Sequence, residues 1–151
     1  MVATTPASRK AKGRRFQQAV RQDLIDHLGI NPGDILSTAM GQSGCDLYLS
    51  PAARERFGFG VECKAQETIS LPAWWKQCEN NASKVELTPL LLIKRNREDA
   101  LAVMRWEDLL RLIELISRGE ISGEPPDLTE ALTDDHRWQN LAEGLTGGER
   151  P

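Results

Sequence analysis

The chain has 151 residues, 40% hydrophobic and 27% charged, which suits one globular domain with its own core and excludes a disordered or fibrous chain. No apolar run approaches the roughly 18 residues of a membrane span, and the polar, basic N-terminus lacks the apolar stretch of a secretory signal, so a cytoplasmic protein with no membrane partner is expected. The net charge of −3 hides a split: residues 119–151 carry eight acids and two bases, whereas residues 1–118 carry 14 acids and 17 bases.

Residues 1–11 are small, polar and basic and read as a disordered arm. Arg9, Lys10, Lys12, Arg14 and Arg15 form the densest basic cluster. Such an arm on a mildly basic body suits a polyanionic partner; a charge run by itself is more often a solvated tail, and the carboxylates described below reverse that preference. A helix is predicted from near Gly13 to about Leu28, because Phe16, Val20, Leu24 and Leu28 recur every four residues and make one apolar stripe. Gly29 stops it, and Asn31-Pro32-Gly33-Asp34 is a turn. Ile35 to Thr38 reads as a short strand. Gly41-Gln42-Ser43-Gly44 reads as a flexible loop that delivers Asp46 to the strand-like run through Leu49.

The run from Phe57 to Gln66 alternates. Phe57, Phe59, Val61, Cys63 and Ala65 share one face; Gly58, Gly60, Glu62, Lys64 and Gln66 share the other. With a turn at Ser50-Pro51, the two runs are expected to form a hairpin centred near Arg54, with Asp46 opposite Glu62 at a Cβ separation of about 5 Å. Carboxylates that close repel unless a cation lies between them, and Mg²⁺ or Mn²⁺ is the natural occupant. The competing reading is a surface ladder of ion pairs among Asp46, Glu62 and Lys64.

Pro72 opens a second helix, to about Lys84, with Trp74, Cys78 and Ala82 on one face. Leu90 to Ile93 reads as a strand buried on both sides. Asn96 to Asp99 is a turn, Leu101 to Arg105 another strand, and Trp106 to about Ser117 a helix with Leu109, Leu112, Ile113 and Ile116 toward the core. Arg95 and Arg97 are either phosphate contacts or only a polar turn. Cys45, Cys63 and Cys78 are odd in number and widely spaced, which fits reduced thiols. The element order implies an α/β fold with a small mixed central sheet flanked by helices over residues 12–118. The acidic segment 119–151 reads as a mostly disordered tail, with room for a short helix around Trp138 to Leu141.

An Asp at the head of one strand followed by Glu-x-Lys on the next, here Gly44-Cys45-Asp46 and Val61-Glu62-Cys63-Lys64, resembles the PD-(D/E)XK nuclease superfamily with its restriction-endonuclease-like core. Lys12-Gly13-Arg14-Arg15-Phe16 and the Ser43-Gly44 before the Asp are similar to archaeal-type Holliday-junction resolvases and related phage endonucleases. The resemblance covers roughly residues 10–116. It implies a divalent-metal-dependent DNA endonuclease acting on branched DNA as a homodimer, in the cytoplasm or the equivalent host-cell compartment if phage-encoded. Asp46, Glu62 and the backbone carbonyl of Cys63 would ligate the metal, with Lys64 beside the attacking water. In the resolvase branch a Glu stands four positions after the Lys-Gly pair, where this chain has Gln17; an amide ligates through its oxygen but adds no charge. Gln66 extends the catalytic row and would steady Lys64 or a phosphate, Gln77 would position Lys64 or contact the scissile DNA strand, and Gln42, Ser43 and the basic cluster would contact DNA. The alternatives are a nicking or end-processing nuclease of the same fold and a DNA-binding module without hydrolysis.

Overall fold

A computed structural model of the chain describes residues 5–39 and 41–118. They fall into two compact units divided between Arg105 and Trp106, a boundary inside the segment read from the sequence as one domain. Residues 1–4 of the basic arm and the whole acidic segment from 119, with the short helix read at Trp138 to Leu141, lie outside the described residues.

The first helix, α1 (Pro6–Leu28), starts well before Gly13. Thr5 caps it, its hydroxyl oxygen accepting the Ser8 N–H at 3.2 Å, and Pro6 occupies the first turn, where a missing N–H costs nothing. Residues 6–11, expected to be disordered, are therefore helical. Their Ala, Arg and Lys side chains favour helix intrinsically, so no apolar repeat was needed to form it or marked it in advance. Phe16 and Val20 are buried as the stripe predicts. Gly29 ends the helix at φ +60°, its N–H bonded to the Ile25 carbonyl at 3.0 Å.

The expected hairpin does not form. Ser50 and Pro51 instead open a short helix, α2 (Pro51–Arg56), with the Ser50 hydroxyl accepting the Ala53 N–H at 3.2 Å. A Ser-Pro pair serves a turn and a helix N-terminus equally well, and here the helix wins. Strand β2 (Leu47–Leu49) pairs antiparallel with β1 (Ile35–Ser37), placing Ile35 opposite Leu49 and Ser37 opposite Leu47.

The main sheet is mixed. Strand β3 (Phe59–Ala65) runs parallel to β4 (Thr88–Lys94), which pairs antiparallel with β5 (Leu101–Val103), a shorter strand than the predicted run to Arg105. The alternation of β3 sorts the two faces. Val61 and Ala65, with Leu90 of β4, join Phe16 and Val20 of α1 in the larger core cluster. On the opposite face, Leu91 and Ile93 pack with Trp74 and Cys78 of α3 (Leu71–Ser83). In register, Glu62 lies beside Leu91 and Lys64 beside Ile93, so the polar row of β3 lies under α3.

Gly60 makes that approach possible. A Cβ at this position would lie 2.7 Å from the Ala82 Cβ and 3.0 Å from the Cys45 sulfur. Only a residue without a side chain lets α3 close over the strand two positions before Glu62.

The last described element, α4 (Trp106–Ser117), belongs to the second unit. Glu107 and Asp108 in its first turn suit the positive end of the helix dipole. None of its residues is buried, in contrast to the core role expected for Leu109, Leu112, Ile113 and Ile116. A four-residue apolar repeat identifies an amphipathic helix but not what it packs upon. No described helix is long and apolar enough to cross a membrane.

Candidate active site

Glu62 is only 3% exposed, and both of its carboxylate oxygens are occupied. Oε1 accepts from the Lys64 ammonium at 2.8 Å and from the Gln77 amide at 2.7 Å. Oε2 accepts from the Asn81 amide at 3.2 Å. The Gln77 carbonyl oxygen in turn accepts from Lys64 at 2.9 Å, closing a triangle of Glu62, Lys64 and Gln77. A buried carboxylate is tolerated when paired and hydrogen-bonded in this way. Among the described residues two of the three Lys64 donors are used, which leaves one for the cavity that Lys64 lines.

Asp46 reaches the site from the other side. Its N–H donates to the Val61 carbonyl at 2.8 Å, and its carboxylate accepts the Cys63 N–H at 2.6 Å, so it caps the β3 edge away from β4. The N–H and C=O of one strand residue point to the same edge, so the Cys63 carbonyl faces the Asp46 side as well. Gln17 is 2% exposed, and its amide N–H₂ donates to the carbonyls of Thr38, at 3.2 Å, and of Asp46. One turn later Arg21 bonds the Ile35 carbonyl at 2.6 Å and the Pro32 carbonyl at 2.7 Å, which pins α1 to β1. The Thr38 hydroxyl donates to the Cys45 carbonyl at 2.7 Å and completes the clamp on the chain leading into Asp46. Just before it, Gly44 takes φ +118°, a conformation that L side chains rarely adopt.

Electrostatically the two carboxylates differ. Burial, then the neighbouring Glu62 charge, pushes Asp46 from 3.8 up to about 6, outweighing the Cys63 N–H and Lys64. No cysteine offers a thiolate at neutral pH. Burial raises Cys45 and Cys63 and takes Cys78 to about 12; all three are free, and the Cys63 side chain packs against the core.

Asp46, Glu62, Cys63, Lys64, Gln17, Gln66 and Gln77 line one cavity of about 520 Å³, together with Arg9, Gln42 and Ser43. The structure thus gathers all the expected catalytic residues and part of the expected DNA-contacting set. Lys12 and Arg15 line neighbouring cavities, while Lys10 and Arg14 are exposed on α1 away from them. Gln66, expected to extend the row, follows the last residue of β3 and is exposed. Gln77, read as positioning either the lysine or the scissile strand, has both ends of its amide engaged by Glu62 and Lys64. Asn81 was missed. Its signal was its position four residues after Gln77, on the same face of α3.

The donors around the cavity suit a hard divalent ion. The Asp46 and Glu62 carboxylates, the Cys63 carbonyl and the Gln17 amide oxygen are all oxygens. The raised Asp46 is a carboxylate short of positive charge. Among the described residues no group of three or more His, Cys, Asp or Glu could hold a metal, so an ion here would rest on two charged ligands completed by neutral oxygens.

Residues 8–118 match the family of phage putative PDDEXK endonucleases. The chain belongs to this family. The match covers nearly all of the first unit and residues 106–118 of the second, and agrees with the PD-(D/E)XK resemblance carried by Asp46 and Glu62-Cys63-Lys64. The small mixed sheet with flanking helices is consistent with the restriction-endonuclease-like core. Nucleases of this superfamily generally use divalent metals, and membership implies a DNA substrate for the PDDEXK protein described here. No curated protein and no solved structure matches the chain.

Proposed function

We propose that the protein is a divalent-metal-dependent DNA endonuclease whose active site is built by Asp46, Glu62 and Lys64. One observation carries the reading. The Asp46 carboxylate is docked on the Cys63 N–H and lines the same cavity as Glu62, Lys64 and Gln77, which form a closed hydrogen-bonded triangle.

Asp46 and Glu62 would hold a Mg²⁺ or Mn²⁺ ion, with the Cys63 carbonyl and the Gln17 amide oxygen as neutral ligands. The ion, when bound, neutralises phosphate charge and lowers the pKa of water from 15.7 toward neutrality. Lys64 uses its remaining donor to orient the attacking water and to stabilise charge developing on the phosphate oxygens. Gln77 and Asn81 act through Glu62 and Lys64 and are positioning residues. Gln17 brings no charge, which favours one tightly held ion over two.

Branched DNA is the proposed substrate and a homodimer the proposed assembly. The likeness of Lys12 to Phe16 and Ser43-Gly44 to junction resolvases supports both, since symmetric incision of a junction needs two active sites. The test is Mg²⁺-dependent cleavage of linear, nicked, forked and four-way substrates and of supercoiled plasmid. The reading expects cleavage that is lost on Asp46→Ala and Lys64→Ala and is fastest on the four-way substrate. Cleavage without preference for the junction would favour the nicking or end-processing alternative. Binding without cleavage would favour a DNA-binding module.

A further inference from the structure

We infer that a groove leading from the candidate active site, past Arg9 and Lys12 to Lys94 and Arg97, carries the DNA phosphate backbone. The inference rests on the nuclease reading and extends it to a path for the substrate. Three cavities join end to end. The active-site cavity shares Arg9, Ala65 and Gln66 with a second of about 340 Å³. The second shares Lys12, Ala65 and Asn96 with a third of about 330 Å³. One wall is α1; the other is the ends of β3 and β4 with the turn that follows β4.

In a chain of net charge −3, the second and third cavities are lined by Arg9, Lys12, Arg15, Lys94, Arg95 and Arg97 against only Asp23 and Glu67. Lys12 pairs with Glu67 and Arg95 with Glu98, whereas Arg9, Arg15, Lys94 and Arg97 form no ion pair among the described residues. Uncompensated cations gathered along one groove repel each other until an anion arrives.

Two details point to phosphate. In mid-groove the Glu67 carboxylate accepts both the Lys12 ammonium at 2.6 Å and the Asn96 N–H at 2.9 Å. An ammonium and a backbone amide converging on one anionic oxygen are the donors that backbone phosphates use. Arg97 sits at φ +60°, where glycine or asparagine is more at ease, yet the position holds a long cation beside the groove.

The experiment measures affinity for a short fluorescent duplex by anisotropy over a range of KCl concentrations, in EDTA so that nothing is cut. Arg15→Gln/Arg97→Asn removes two cations while respecting the helix and the left-handed turn. It is expected to weaken binding about tenfold and to reduce the slope of log K against log salt by about 1.8, near 0.9 per phosphate contact. Lys76→Gln/Lys84→Gln removes the same charge outside the three cavities and should leave the slope unchanged. Glu67→Gln removes the negative charge that compensates Lys12 and should tighten binding. An unchanged slope in the first variant, an equal loss in the second, or no tightening in the third overturns the path. Metal-dependent plasmid nicking by the unaltered protein is scored separately. Cutting with a groove variant of normal slope sinks the path alone, while a groove-dependent slope without cutting sinks the nuclease reading alone.

Discussion

The two carboxylates of the site stand side by side and are held in opposite ways. Glu62 is surrounded by side-chain donors from β3 and α3, namely Lys64, Gln77 and Asn81. Asp46 is held through the backbone: the Cys63 N–H binds its carboxylate, and Gln17 and Thr38 fasten its main chain. The Glu62 side is neutralised by its own neighbours, whereas the Asp46 side is left short of positive charge and its pKa rises to about 6. A cation entering between them therefore relieves Asp46 most, while the Glu62 side supplies the lysine and the preset geometry.

The largest expected effect removes the charge on either side. Glu62→Gln should lower the cleavage rate by about 10³-fold or more, since metal charge and oriented donors supply most of the stabilisation. Its DNA affinity should change little, because phosphate contacts carry binding. A gel shift in which binding collapses along with cleavage would contradict that division of labour.

The next effect tests how α3 is seated over Glu62. Gly60→Ala pushes a methyl group to within 2.7 Å of Ala82 and should destabilise the fold by about 1–3 kcal/mol in urea unfolding. An unchanged midpoint would mean that α3 is not tightly seated. Asn81→Ala leaves Glu62 Oε2 without its donor in a buried site and should cost about 1–3 kcal/mol. Asn81→Asp, which sets a second carboxylate beside the first, should cost more. If Asn81→Ala were as stable as the wild type, the contact at 3.2 Å would have no energetic weight.

The smallest effect concerns pH and isolates the Asp46 side. Its folded-state pKa is raised, so its contribution to stability is fully present below 3.8 and is lost as pH rises through about 6. In EDTA the wild-type protein should lose about 1 kcal/mol between pH 5 and pH 7 relative to Asp46→Asn. Thermal melts that track each other across this range would show that Asp46 is not strained by its surroundings.

Much of this site was legible in the sequence because it depends on local periodicity. The alternation of β3 assigned Glu62 and Lys64 to one face and Val61 and Ala65 to the other, as the core clusters show. Gly29 and Pro72 marked helix ends for steric reasons that hold in any context. Strand partners were not legible. Asp46 meets β3 at its edge, not through a hairpin, because β2 pairs with β1 and Ser50-Pro51 starts a helix. Which strands pair is decided by distant packing, and nothing local to Arg54 encodes it. Asn81 escaped because an amide on a helix reads as solvated until the strand beneath it is known.

The account stands on a divalent ion shared by Asp46 and Glu62. Titrating Mn²⁺ into the protein and following free Mn²⁺ by electron paramagnetic resonance tests it most directly. The prediction is binding by the wild-type protein that is lost in both Asp46→Asn and Glu62→Gln. Undiminished binding in both variants would place the ion elsewhere and contradict the account.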